Sequence, residues 1–86
     1  SPYPTAFTEL KNKENNAILS LKIFKTIKQI ENHHQKIGTI LTTKNTISVA
    51  VSGGFIQLIE LQLEGKKRMD AQSLLNGFNI NDYQLQ

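Results

Sequence analysis

Apolar and polar positions alternate with a period of two along most of this chain, and that period predicts strands rather than helices. The clearest case is Thr46 to Ser52, where Ile47, Val49 and Val51 share one face and Ser48, Ala50 and Ser52 the other. Gly53-Gly54 then predicts a hairpin turn into a second strand, Phe55 to Leu63. In that strand Ile56 and Leu58 share one parity while Ile59, Leu61 and Leu63 share the other. A slip in a period-two pattern predicts a bulge. Upstream, Ala17 to Ile30 opens with Leu19, Leu21 and Ile23 alternating with Ser20 and Lys22, and its β-branched residues favour a long strand with an irregularity near Phe24. Gly38 to Thr43 reads as a short strand joined by a Lys44-Asn45 turn to the next, and Tyr83 to Leu85 as a short last one.

A period closer to a helix is confined to one place. Asp70 stands in N-cap position ahead of Ala71-Gln72-Ser73-Leu74-Leu75-Asn76, and Gly77 ends the run. At the amino end, Pro2 and Pro4 hold Ser1 and Tyr3 extended, and Thr5 is placed to cap a single helical turn reaching Leu10. Lys11 to Asn16 and Glu31 to Ile37 read as loops. The expected architecture is mainly β: a small five-stranded OB-like Greek-key barrel with one short helix, over residues 17–86, preceded by a lead-in at 1–16.

With 86 residues there is room for one modest core. A hydrophobic content of 38% with 20% charged residues suits a folded domain, and no apolar run approaches the ~20 residues of a membrane span. With no cysteine there are no disulfides, which fits the cytoplasm. Met69 is the only methionine, so the chain reads as a processed chain or a piece cut from a longer one. The adjacent His33 and His34 point to opposite sides of an extended segment, with only Glu31 nearby, so no metal site is expected. Glu60 and Glu64 lie roughly 13 Å apart along one strand, too far for a paired-carboxylate catalyst.

What remains is binding. The net charge is only +3, but nine of the ten cations are lysine, a point charge that suits phosphate better than base edges. Lys66, Lys67 and Arg68 follow Gly65 in one turn; Lys22, Lys25 and Lys28 recur every third residue; Lys44 stands alone. These seven are the candidate polyanion contacts. The near absence of arginine and of exposed aromatic residues argues against reading of bases.

Two segments carry a resemblance. ELQLEGKKRMDAQSLLNG is similar to the strand, Gly-Lys-Lys-x-Met turn and Ala-x-x-Leu-Leu-Asn-Gly helix near the carboxyl end of methionyl-tRNA formyltransferases, and SPYPTAFTEL resembles the segment that leaves their catalytic domain. The two bracket nearly the whole chain. The resemblance implies an OB-like C-terminal domain that holds the phosphates of methionyl-initiator tRNA. It also implies that formyl transfer and the 10-formyltetrahydrofolate cofactor belong to an N-terminal domain absent here, so that this chain alone is expected to lack catalytic residues and cofactor. Tyr3, Pro4 and Phe7 would then dock against that domain, unless they only close one side of the core, and the parent is expected to be a monomer without membrane contact. The competing reading is a docking domain of a sibling formyltransferase acting on a sugar nucleotide or on folate, with no nucleic-acid role.

Overall fold

The computed structural model describes residues 6–86, so Tyr3, Pro4 and the expected cap at Thr5 lie outside it. Seven antiparallel strands appear where five were expected. They are β1 (Ala6–Asn12), β2 (Ile18–Ile30), β3 (Ile40–Thr42), β4 (Ile47–Val51), β5 (Gly54–Leu63), the two-residue β6 (Met69–Asp70) and β7 (Tyr83–Leu85). Helix α1 (Ala71–Gly77) follows β6, and a single 3₁₀ turn, Ile80–Asp82, leads into β7.

The strand order is β3-β4-β5-β2-β1-β7, with β6 pairing β5 outside that row. Three hairpin-connected strands, β3 to β5, with the earlier β2 returned beside β5, make a Greek key. The sheet curls into a nearly closed barrel. Its two edges approach where Asn81 Nδ2 donates to Thr42 Oγ1 at 3.0 Å, leaving a cleft of about 310 Å³ beside the seam.

The segment from Ala6 to Leu10, expected as one helical turn, is strand, and β1 extends through Asn12 into what was expected to be loop. Its register against β2 explains why. Thr8 lies opposite Leu21 and Leu10 opposite Leu19, and Leu10 is completely buried. Pairing along six positions outweighs a local capping preference. The barrel therefore already includes residues from the stretch expected as a lead-in. After β1 the chain turns through Asn12, whose Oδ1 accepts the backbone N–H groups of Glu14 and Asn15, and Asn16 takes φ +63.

The β2–β5 pairing holds the centre of the sheet. Leu21 lies opposite Leu63 and Ile23 opposite Leu61, and beyond the irregularity Thr26 lies opposite Leu58 and Ile30 opposite Gly54. Between these two stretches only Lys25 and Glu60 are opposed, which leaves Phe24 on β2 and Ile59 on β5 without partners. Both sequence signals, the phase slip after Leu58 and the irregularity near Phe24, thus mark one paired bulge. The buried residues of β5 follow it: Leu58 on one side of the slip, Leu61 and Leu63 on the other.

The core gathers Leu10, Leu21, Ile47, Leu58, Leu61, Leu63, Leu74 and Ile80, all at most 3% exposed, with α1 closing one end through Ala71 and Leu74. Burying a leucine or isoleucine of this kind contributes about 1.5–3 kcal/mol. Ala50, on the opposite face of β4 from Ile47, is also fully buried. The loop after β2 covers it, donating Gly38 N–H to Ala50 O and accepting Ala50 N–H at Thr39 O. His33 anchors the same loop: its ring lies 4.5 Å from that of Phe55, Nε2 meets Val51 O at 2.8 Å, and Nδ1 accepts from Gln35 N–H.

At the β4–β5 hairpin Gly53 takes φ +80, and Gly54 sits so close to β2 that a Cβ would lie 2.0 Å from Gln29 O. Gly54→Ala should therefore force the two strands apart and cost about 1–3 kcal/mol, measured by urea denaturation. An unchanged midpoint would show that the hairpin relaxes freely.

Candidate nucleic-acid interface

Backbone geometry delivers the basic turn. At the end of β5, Lys66 N–H donates to Leu63 O at 2.9 Å, and Gly65 at φ +83 takes the left-handed conformation that other residues rarely adopt. Two side chains hold the turn to its neighbours. Gln62 Nε2 donates to Lys66 O at 3.0 Å, and Glu64 exchanges two hydrogen bonds with the backbone of Ser20, one through its N–H and one through Oε1. Met69 and Asp70 then pair back onto Leu61 and Glu60 as β6, with Met69 half-buried against the core.

Asp70 connects the turn to α1. Its Oδ1 accepts Ser73 N–H at 2.8 Å, which makes it the helix N-cap expected from sequence. That backbone bond, with a further one from the Ser73 hydroxyl, holds the Asp70 carboxyl below the ordinary aspartate value. Gly77 is the last helical residue, and Phe78 returns to extended backbone.

The three cations of the turn divide into two kinds. Lys66 and Lys67 are exposed, and the single ion pair among the described residues does not involve either. Arg68 forms that pair: its guanidinium bonds the Glu60 carboxylate and lies 3.9 Å above the ring of Phe24. The clasp thus joins the turn to both sides of the β2–β5 irregularity, because Phe24 is the unpaired β2 residue and Glu60 faces Lys25. Arg68 acts first as a fastener and only secondarily as a free charge. Both side chains of the pair are substantially exposed, 54% and 36%, so water screens their attraction.

The lysines of β2 divide as well. Lys22 lies between Phe7 on β1 and Gln62 on β5, on the outer face of the sheet. Lys25, opposite Glu60, faces the same way. Lys28 lies opposite Ile56 and, two residues from Thr26, shares its parity with the Leu58 side of the sheet. The bulge resets the alternation, so the three-residue spacing does not put all three on one face. Lys28 is also about 20 Å along the strand from Lys22 at ~3.3 Å per residue. Lys44 occupies the β3–β4 turn beside Gly77 and Phe78, at the far end of the helix from the basic turn. The structure therefore brings Lys22, Lys25, Lys66 and Lys67 to one outer surface around the Arg68 clasp, and leaves Lys28 and Lys44 outside it.

Phe7, expected to close the core or to dock another domain, is 67% exposed on this same surface, with Lys22 Nζ 5.7 Å from its ring centroid. Glu60, Gln62 and Phe24 also belong to the surface and were not among the expected site residues. The one signal in the sequence was a large apolar residue at the phase slip flanked by lysines.

No three His, Cys, Asp or Glu side chains come together among the described residues, and no helix among them is long and apolar enough to cross a membrane. The fold and this surface together define a small β-barrel that presents a basic face built on a strand-turn-helix unit. Residues 1–79 match the family model described as "Formyl transferase, C-terminal domain", and the chain belongs to that family. It is 41% identical over 83 residues to a methionyl-tRNA formyltransferase of Flavobacterium psychrophilum, covering 96% of this chain and 26% of that protein. It is 45% identical over 83 residues to the protein of the same name from Bacteroides thetaiotaomicron, covering 95% and 26%. With that of Parabacteroides distasonis it shares 47% over 79 residues, covering 91% and 24%. The chain thus spans about a quarter of the length of the curated relatives it matches. No solved structure matches.

Two outcomes follow from the clasp and the cap. In a double-mutant cycle of Arg68→Ala with Glu60→Gln, the coupling should stay at or below about 1 kcal/mol and shrink with added salt; a larger, salt-insensitive value would contradict the exposure of the pair. For Asp70, the folded carboxyl is held below its unfolded value, so its contribution is present above the ordinary aspartate range and is lost as pH falls through the folded value. The difference in melting temperature between the parent and Asp70→Ala should be clear near pH ~7 and shrink towards pH ~2. A difference that does not depend on pH would show that charge is not what makes Asp70 a cap.

Proposed function

We propose that this chain is the tRNA-holding C-terminal domain of a methionyl-tRNA formyltransferase. It would bind the phosphate backbone of methionyl-initiator tRNA without reading sequence, while an N-terminal catalytic domain of the same parent chain transfers the formyl group from 10-formyltetrahydrofolate. The observation that carries this reading is the cluster of Lys22, Lys25, Lys66 and Lys67. Among the described residues, none of these four ammonium groups, carried on one outer surface, has a carboxylate within ion-pairing distance. A solvated face needs no fastened backbone beneath it, whereas a phosphate site gains when the segments that carry its charges are already held in place.

The physical contribution is orientation and local concentration. Holding one part of the tRNA against the barrel turns the encounter of the aminoacyl end with a catalytic domain into an intramolecular one, and no bond chemistry is asked of the barrel itself. Lysine contacts to phosphate position the nucleic acid and carry no sequence information. The alternative, a docking domain of a formyltransferase acting on a sugar nucleotide or folate, is compatible with the family description alone. The names of the relatives favour the tRNA enzyme. A monomeric parent working in the cytoplasm, where charged tRNA is made, completes the proposal.

Binding of this chain to tRNA at ~50 and ~200 mM salt tests it. Four phosphate contacts should lower affinity on the order of a hundredfold across that range, with a slope of about −0.9 per phosphate on duplex. A Lys66→Ala/Lys67→Ala variant should bind more weakly and lose about two contacts' worth of slope, with little difference between initiator and elongator tRNA. Absence of binding at ~50 mM, or a variant equal to the parent, would make the basic surface a solvated face.

A further inference from the structure

The phosphate-holding surface carries something a purely electrostatic handle does not need. Phe7 is two-thirds exposed at its β1 margin, beside Lys22. The Lys22 ammonium lies over one face of the Phe7 ring, 5.7 Å from the centroid. Phe24, two residues along β2 from Lys22, lies on the same side of the strand, but the Arg68 guanidinium covers it at 3.9 Å. Each ring thus has one face under a cation of its own chain, but Arg68 sits close upon a half-buried Phe24, whereas Lys22 stands farther off and Phe7 remains two-thirds exposed.

An open aromatic face beside unpaired ammonium groups is how proteins hold unpaired nucleotides. The ring stacks a base of any identity, and the cations follow the phosphates on either side. A duplex cannot use it, because its bases are already stacked on each other. Resting on the phosphate-holding reading, we propose that Phe7 is a stacking platform for an unpaired nucleobase, so that this surface takes a single-stranded segment rather than a helical arm. Lys22 neutralises the phosphate next to the stacked base, and Lys66 and Lys67 take those that follow. The match is one of charge and chemistry: a polyanion with exposed π-faces against a cationic surface with one free π-face. Stacking tolerates every base, so this role adds affinity for unpaired strands without adding sequence discrimination. Phe24, already covered, has no part in it.

The chain contains no tryptophan, so Phe7→Trp places a single fluorescent reporter at the site. Titration with a single-stranded 12-nucleotide RNA at ~50 mM salt should quench that indole, and titration with inorganic polyphosphate of matched charge should not. In parallel, Phe7→Ala should lose roughly five- to a hundredfold in affinity for the single strand, the range reported by alanine substitution of stacking residues. It should stay within about twofold of the parent for polyphosphate and for a blunt RNA duplex. If Phe7→Ala binds the single strand as well as the parent does, or the tryptophan is not quenched, the stacking role is overturned while the phosphate reading stands, and a protein surface becomes the occupant of Phe7. If the parent binds neither single strand nor polyphosphate, both readings fall together.

Discussion

β2 and β5 run antiparallel through the centre of the barrel, and midway each strand carries one residue with no partner. That paired irregularity is the constraint on which the other features depend. Without it, the apolar residues of β5 could not turn inward both before and after its midpoint, since Leu58 and Leu61 differ in parity. With it, both ends of β5 contribute to one core, and the sheet bends enough to approach closure. The bulge also leaves Phe24 on the outer face, where it supports Arg68, and Arg68 with Glu60 fastens the basic turn to the sheet.

The rest of the basic surface is a consequence of that placement. Besides the Arg68 clasp, the basic turn is fixed at four points, each by a different device: a backbone hydrogen bond across the turn, the Gln62 amide, the exchange between Glu64 and Ser20, and the short pairing of β6. None is strong individually. Together they determine where two lysines stand relative to two others on a neighbouring strand. Of the acidic residues near this surface, Glu60 bonds Arg68, Glu64 bonds Ser20 and Asp70 caps the helix, while Glu9 shares the outer face of β1 with Phe7.

Much of the fold was legible in the sequence because period-two alternation survives wherever one face of a strand is buried, as on β2, β4 and β5. The helix was legible from Asp70, whose short carboxylate has one good use in that position. β1 was not legible: its exposed positions hold Phe7 and its inward positions Thr8, the reverse of the usual pattern, and nearby prolines with Thr5 suggested a capped turn. The basic turn could be read from composition alone. That Arg68 is engaged could not, because its partner is eight residues away and reaches it only through the two-residue β6 pairing. The division of Lys22, Lys25 and Lys28 between faces depended on where the bulge falls, which alternation locates only to within a residue or so. The exposure of Phe7 follows from the β1 register, whereas its residue type alone left it between docking another domain and closing the core.

The order of the strands also bears on how the chain reaches this structure. β3, β4 and β5 are joined by short turns and can pair as soon as they meet. The central ladder, in contrast, brings Leu21 against Leu63 with the whole meander looped out between them. Closing that loop has to precede the contacts that compensate for it, which places the chain among the slower small folders, on the millisecond-to-second side of the range. The paired bulge gives that step a single solution. A register slipped by one residue would expose one half of β5 while burying the other, so the last strand to dock has one alignment in which both halves of the core form at once.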